Sequence, residues 1–354
     1  MSAIKFTKLA MTALRSNFTQ LKRPYKLTFS ITYLCQSRCQ MCNIWTIKPK
    51  GELSLDEIKE FARKNNYFKW IELSGGEPFL RSDIVEIVRA FKESCKSLYV
   101  LTMPTNSLCN RDMELAKMEE ILMMGIPRVV VTISLDGYRE LHDRIRGIPG
   151  NFDKAIAMFK GLQELKKRYK NLDMVFGYTM TRFNQGQLEK TYDEVKRLVP
   201  EITHNTFHIN VGALSDIYYS NSGTGESILA DRAVLAQEIA GFISKREKTV
   251  GDVALIERAF LRNLVKYVKT GEMPMRGRSL DASLFMDSYG NVYPSIMWGR
   301  KVGSIRDTQY SLEPIWHNEE ARAVRALIKE GKEPKCWTAC EAYQTLVGNV
   351  RSLF

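Results

Sequence analysis

Between Lys26 and Leu214 short apolar runs alternate with longer amphipathic stretches, and this rhythm constrains the fold more than any other feature. KLTFSITY, WIELSG, LYVLTMP, RVVVTISLDG, LDMVFGYTMT and THNTFHINVGAL read as six strands. SLDEIKEFARKNN, RSDIVEIVRAFKES, RDMELAKMEEILMMG, NFDKAIAMFKGLQELKKRY and NQGQLEKTYDEVKRLV lie between them and carry helical periodicity. Ser54 or Asp56 suits the start of the first of these helices, and Gly125 closes the third. Short strands alternating with longer helices imply parallel βαβ units. Six units are too few for a closed eight-stranded barrel. They fit an open, partial barrel or a doubly wound sheet.

The flanks follow other patterns. Residues 3–22 predict a helix with Phe6, Leu9, Ala13, Leu14, Phe18 and Leu21 on one face and Lys5, Lys8, Arg15 and Lys22 elsewhere, broken by Pro24. A helix packed on the outside of the main domain is expected, and its rival is a membrane-surface helix, since its charges are all basic. After about residue 215, YYSNSGTGES reads as a loop, followed by helices near 228–246 and 252–270. SLFMDSYGNVYPS reads as a hairpin turning at Ser288 to Asn291, and EEARAVRALIKEG as the last helix. Three segments result: 1–24, 25–215 and 216–354.

Hydrophobic residues make up 44% of the 354, enough for an ordinary packed core. The net charge of +12 favours anionic partners, whether nucleic acid, a phospholipid surface or an acidic small molecule. No apolar run approaches the roughly 18–20 residues that cross a bilayer, and no signal-peptide core is visible, so a cytoplasmic chain is expected. Its seven cysteines then read as ligands or buried thiols and not as a disulfide framework.

Three of them, Cys35, Cys39 and Cys42, fall directly after the first strand, in TYLCQSRCQMCNIW. In a βα-barrel that is the rim where ligands bind. Thiolates are soft donors for zinc or iron–sulfur clusters, and structural zinc takes four protein ligands. Three thiolates on a four-iron cluster leave one iron open, the mark of a metal site that does chemistry.

The C-x3-C-x2-C spacing resembles the radical SAM superfamily. LSGGEPFL ends the second strand and looks like that family's GGEP segment, so Gly75, Gly76, Glu77 and Pro78 are expected to meet the methionine end of S-adenosylmethionine. Adjacent glycines suit a backbone that comes close to a ligand. TISLDGYRELHDRIRG ends the fourth strand and is similar to the ribose- and carboxylate-contacting segment, which implies Ser134 and Asp136 near the ligand, with Arg146. Met41 matches the bulky position against the adenine. The resemblance implies a partial (β/α)6 TIM-like barrel over residues 25–215. It also implies one 4Fe–4S cluster on the three cysteines, a flavodoxin- or ferredoxin-type reductant, and hydrogen abstraction by a 5′-deoxyadenosyl radical.

The segment MDSYGNVYPSIMWGRKVGSIRDTQYSLEPIWHNEEARAV resembles the SPASM/Twitch extension of the same family, an α+β addition. Gly290, Val292, Pro294, Gly303, Ile315 and Trp316 fit its pattern. Ser295 and Ser279 stand where cysteines are expected, leaving Cys336 and Cys340 as C-x3-C. The implied auxiliary cluster is therefore expected to be absent, the rival being an atypical site on Cys336, Cys340 and other donors. Cys95 and Cys109 read as buried thiols.

His204 and His208 flank the sixth strand four residues apart, and such residues share a strand face. His208, Tyr178 and Asn210 are the candidate substrate contacts, with a core histidine as the bland reading. Tyr218 and Tyr219 border the opening or cover the barrel. A radical SAM enzyme acting on a lipid precursor, a nucleotide-linked sugar or another anionic small molecule is the leading expectation, with contact to a membrane surface. Peptide or RNA modification is the alternative, and nucleic acid ranks low because no RNA-binding motif is visible. A non-catalytic iron–sulfur module or redox sensor would explain the cysteines but not GGEP and SLDG at successive strand ends.

Overall fold

The computed structural model describes residues 2–223, 228–249 and 252–350, so the end of the YYSNSGTGES loop lies outside the described residues. Six parallel strands pair in chain order: β1 (Lys26–Thr32), β2 (Trp70–Gly75), β3 (Val100–Thr105), β4 (Arg128–Ser134), β5 (Leu172–Met180) and β6 (Phe207–Val211). Helices α2 (Leu55–Lys64), α3 (Ile84–Ser94), α4 (Arg111–Met123), α6 (Asn151–Arg168) and α7 (Leu188–Leu198) connect them. Side chains alternate across each strand. Leu27, Phe29, Ile31, Ile71, Leu73, Val129, Val131 and Ile133 point outward and are fully buried under the helices. Glu72, Ser74, Thr102, Thr132, Ser134, Gly177, Thr179, His208 and Asn210 face the lumen. The polar alternates are therefore the ones available to a ligand. Ser54 caps α2 in a reciprocal box with Glu57, and Asn110 caps α4.

The sheet does not stop at β1. β7 (Ser283–Met286) pairs with the free edge of β1 in parallel, and β8 (Asn291–Tyr293) and β9 (Gly303–Ser304) continue antiparallel. The expected hairpin therefore exists, and its first arm belongs to the main sheet. The order β6-β5-β4-β3-β2-β1-β7-β8-β9 leaves β6 and β9 as edges, so the molecule is an α/β partial barrel, unclosed, with a smaller set of C-terminal helices and strands.

Several elements depart from expectation. α5 (Arg139–Arg146) follows the fourth strand inside the SLDG segment. α8 (Arg232–Ser244) and α9 (Asp252–Thr270) stand near their expected places, but α10 (Glu313–His317) and α11 (Glu319–Lys329) are followed by a further helix, α12 (Ala339–Val347). α12 enters the lumen: the Tyr343 ring lies 6.2 Å from Trp70 on β2 and 5.9 Å from His208 on β6. The first helix, α1 (Ser2–Ser16), packs through Leu9, Ala13 and Ser16, while Leu14 and Phe18 face outward. Of the expected face Phe6, Leu9, Ala13 and Leu21 make packing contacts, and the correction concerns Leu14 and Phe18. α1 crosses the N-terminal ends of the strands, with Phe6 5.6 Å from Tyr99 and Lys5 Nζ donating to Leu98 O at 3.3 Å.

Candidate active site

The cysteine loop is fastened on three sides. Gly76 N donates to Thr32 O at 2.7 Å and Glu77 N to Leu34 O at 2.8 Å, tying it to the end of β2. Arg38 N donates to Arg146 O at 2.9 Å and Gln40 N to Ile145 O at 2.8 Å, tying it to α5. Asn221 Nδ2 donates to Met41 O at 2.9 Å from the segment after β6. A Cβ on Gly76 would stand 2.0 Å from Leu34 O, and one on Gly75, at φ +119°, 2.2 Å from Thr32 O. Both glycines are needed for this backbone approach, whatever ligand lies beyond them.

Cys35, Cys39, Cys42, Met41, Gly75, Gly76, Glu77, Ser134 and Arg146 all line one cavity of about 1930 Å³. Pro78 and Asp136 are not in its wall. Pro78 opens the short turn Pro78–Leu80, and Asp136 lies fully buried behind Arg146. Arg146 Nε donates to Asp136 Oδ2 at 2.7 Å and its Nη1 reaches Cys39 Sγ at 3.6 Å. Burial opposes the Arg146 charge, but Asp136 and Cys39 outweigh it and its pKa lies above the ordinary value. Asp136 Oδ1 accepts from Thr179 N at 2.9 Å, and Asp136 N donates to His142 Nδ1 at 3.0 Å. Burial, and then the Arg146 charge, lower His142 to about 3. It is therefore neutral, and its Nε2–H faces Asn151 Oδ1 at 3.2 Å. Sequence reading missed this residue, which holds the Asp136 backbone. Glu77 is buried, accepts from Asn106 N at 2.7 Å, and is pushed upward by burial and by Glu114.

Deeper in the lumen, His208 and Asn210 line the same cavity, but Tyr178 does not. Tyr178 points to the helix side, fully buried, its hydroxyl donating to Asn184 O at 3.3 Å. His204 does not join His208. It sits in the turn before β6 (His204–Thr206) and stacks on Tyr192 at 3.8 Å. His208 Nδ1 is 3.3 Å from the Tyr343 hydroxyl, which donates to Glu257 at 2.5 Å. Tyr218 and Tyr219 are in the wall, whereas Cys109 is not, and Cys95 is buried. The lumen also holds a cluster that sequence reading overlooked. Lys26 Nζ is 3.1 Å from Glu72 Oε2, and Cys340 Sγ donates to Glu72 Oε1 at 2.9 Å. Burial opposes the Glu72 charge, Lys26 together with the Cys340 and Thr28 hydrogen bonds outweighs it, and the net pKa is lowered.

Three cysteines of one loop that line the same cavity are a donor set that a cluster could take. Among the described residues no three His, Cys, Asp or Glu side chains converge as ligands of one metal ion would. A four-iron cube takes each thiolate on a different iron. Cys35 and Cys42 are raised to about 11 and about 12, chiefly by burial and also by Cys39, so a metal group bound there would have to displace their protons.

The model for the radical SAM superfamily matches residues 29–212. An AdoMet-dependent heme synthase of Methanosarcina barkeri is 28% identical over 194 residues, covering 53% of this chain and 52% of that protein. A pre-heme d1 synthase of Dinoroseobacter shibae is 23% identical over 306 residues, covering 80% and 71%. The chain thus spans about half the length of the heme synthase. Among solved structures, Streptococcus suis SuiB bound to S-adenosylmethionine superposes with a TM-score of 0.61 at 17% identity, covering 90% of this chain and 72% of that one. SuiB bound to its precursor peptide SuiA gives 0.60 at 16% identity, covering 90% and 70%. With a family model matched over more than half its length, the chain belongs to the radical SAM superfamily of enzymes.

Proposed function

We propose that this enzyme binds one 4Fe–4S cluster through Cys35, Cys39 and Cys42, cleaves S-adenosylmethionine there, and abstracts hydrogen from an anionic substrate in the lumen. The observation that carries the reading is that the three thiols, the Gly75–Gly76 turn, Ser134 and Arg146 open on one cavity. When bound, the reduced cluster would supply the electron that breaks the sulfonium C–S bond. Met41, Glu77, Ser134 and Arg146 would orient the ligand, with Pro78 and Asp136 holding the Glu77 and Arg146 segments from behind. His208 and Asn210 would meet substrate, and the buried lumen would keep water from the reacting atoms.

The cavity, at about 1930 Å³, exceeds the roughly 300–1,000 Å³ usual for a small-molecule site. Arg128, Lys166 and Arg246 line it far from the cysteines but are paired with Asp173 and Glu257 of the same wall, so the reading of a bulky anion such as a lipid-linked precursor or nucleotide sugar rests on the size of the cavity and the net charge of +12. The peptide-bound SuiB neighbour favours a second reading, a peptide substrate. Among the described residues no helix is long and apolar enough to cross a membrane, and the reading is of a cytoplasmic enzyme served by a flavodoxin- or ferredoxin-type reductant. No auxiliary cluster is proposed. Ser279 Oγ donates to Glu341 at 3.3 Å, Cys336 to Thr338 at 3.6 Å, and Cys340 to Glu72. In the test, the anaerobically reconstituted protein receives dithionite and S-adenosylmethionine. Formation of 5′-deoxyadenosine, lost in Cys35→Ala, is expected, and metal binding without cleavage would leave only the non-catalytic module.

A further inference from the structure

α1 is apolar on two sides. One side packs through Leu9 and Ala13 against the barrel. The other presents Ile4, Met11 and Leu14, with Phe18 just past the helix end, exposed by 61%, 65%, 49% and 78%. At 100° per residue Ile4, Met11 and Leu14 fall in one stripe on the outward side, and the exposed Lys8 and Arg15 lie along its border. Residues 1–24 carry Lys5, Lys8, Arg15, Lys22 and Arg23 and no acidic residue. An exposed apolar stripe with a basic border is the kind of patch that marks an interaction face. A second copy is a poor cover, because a two-fold contact through this stripe would set Lys8 and Arg15 against their own counterparts. An anionic surface with an apolar interior matches both the stripe and its border.

We propose that α1 docks on an anionic phospholipid bilayer, its outward stripe at the boundary of headgroups and acyl chains and Lys8 and Arg15 on the phosphates. The same helix borders the cavity: Phe6, Leu9, Ala10 and Ala13 line the end opposite the cysteines, and half-exposed Leu14 belongs both to that wall and to the edge of the outward stripe. Docking brings that end to the membrane, so a lipid-linked anionic substrate enters the lumen from the bilayer side. This second step rests on the catalytic reading above, whereas docking does not.

The test is flotation of the full chain with vesicles of phosphatidylcholine, alone or mixed with phosphatidylglycerol. The protein is expected to float with the mixed vesicles only and to be released by salt. Lys8→Gln and Arg15→Gln are each expected to weaken binding about fivefold. Met11→Asp, on an exposed position outside the cavity wall, abolishes flotation while 5′-deoxyadenosine formation in solution is unchanged. Failure to float, or equal flotation of Met11→Asp, overturns the proposal. So does a dimer by light scattering that Met11→Asp splits, since the stripe would then be covered by a second copy. Flotation without any S-adenosylmethionine cleavage leaves docking standing and removes the catalytic reading.

Discussion

His142 shows how a residue remote from chemistry can set the condition of a site. It is wholly buried, accepts from Asp136 N, and is held neutral with a pKa of about 3. The unfolded chain protonates it below about 6.5. The folded state therefore binds fewer protons, and its stability is full above pH 6.5 and lost as pH falls towards 3. Between about pH 7.5 and pH 5 this group removes about 2 kcal/mol of stability. Urea unfolding at both pH values checks it: His142→Gln is expected to start less stable but to show an acid loss smaller by about that amount. An unchanged slope would assign the acid sensitivity elsewhere. At this scale the sequence was informative where a motif names backbone chemistry. The glycines of GGEP were legible, but their cause was only half so, because the Cβ clash is with the loop of Leu34 and Thr32 and not only with a ligand. His142 carried no signal, since a histidine six residues after Asp136 becomes its partner only once α5 turns back.

The elements were legible in proportion to their periodicity. β1 to β6 and their helices stand within a few residues of expectation, because outward apolar residues alternate with inward polar ones. β7 reads SLFM, buried on both faces, and its parallel partner lies more than 250 residues away, so no local pattern announces the pairing. α12 was hidden for the opposite reason. It sets half-buried Cys340 and Glu341 and buried Gln344 against Glu72, Ser279 and Lys26, so that face carries polar contacts and no apolar stripe. Its anchor is Lys26, fully buried, which meets Glu72 at 3.1 Å and Gln344 Oε1 at 3.0 Å, donates to Cys340 O, and lies 4.6 Å from the Trp70 ring centre. Removing one partner of a buried pair leaves the other uncompensated. Lys26→Met is expected to cost about 3 to 5 kcal/mol in denaturant unfolding. The double variant with Glu72→Gln should recover a large part, and a purely additive double variant would show that the pair is not coupled.

At the scale of the whole molecule, cysteines occupy opposite regions of one cavity. The triad stands at the C-terminal ends of the strands, while Cys340 is in the lumen and Cys336 lies beside it on the approach to α12. The composition could not say which set binds metal, because seven cysteines are equally soft donors until their partners are known. The structure distinguishes their partners. Around the triad lie Arg146, Ser37 and Asn106, donors able to remain beside a thiolate. Around Cys340 lies Glu72, an acceptor that takes the thiol proton; burial raises this thiol as it does Cys35 and Cys42, and the Glu72 charge raises it further. A metal at Cys340 would have to break the Cys340–Glu72 bond and disturb the Lys26 anchor with it. Reconstitution should therefore load about four irons per chain, with acid-labile sulfide to match. Cys35→Ala is expected to lose that iron, whereas Cys340→Ser should keep it together with the visible absorption of the cluster. Near eight irons per chain, halved by Cys340→Ser, would instead mean that α12 moves to hold a second cluster and that the Glu72 contact belongs only to the metal-free state.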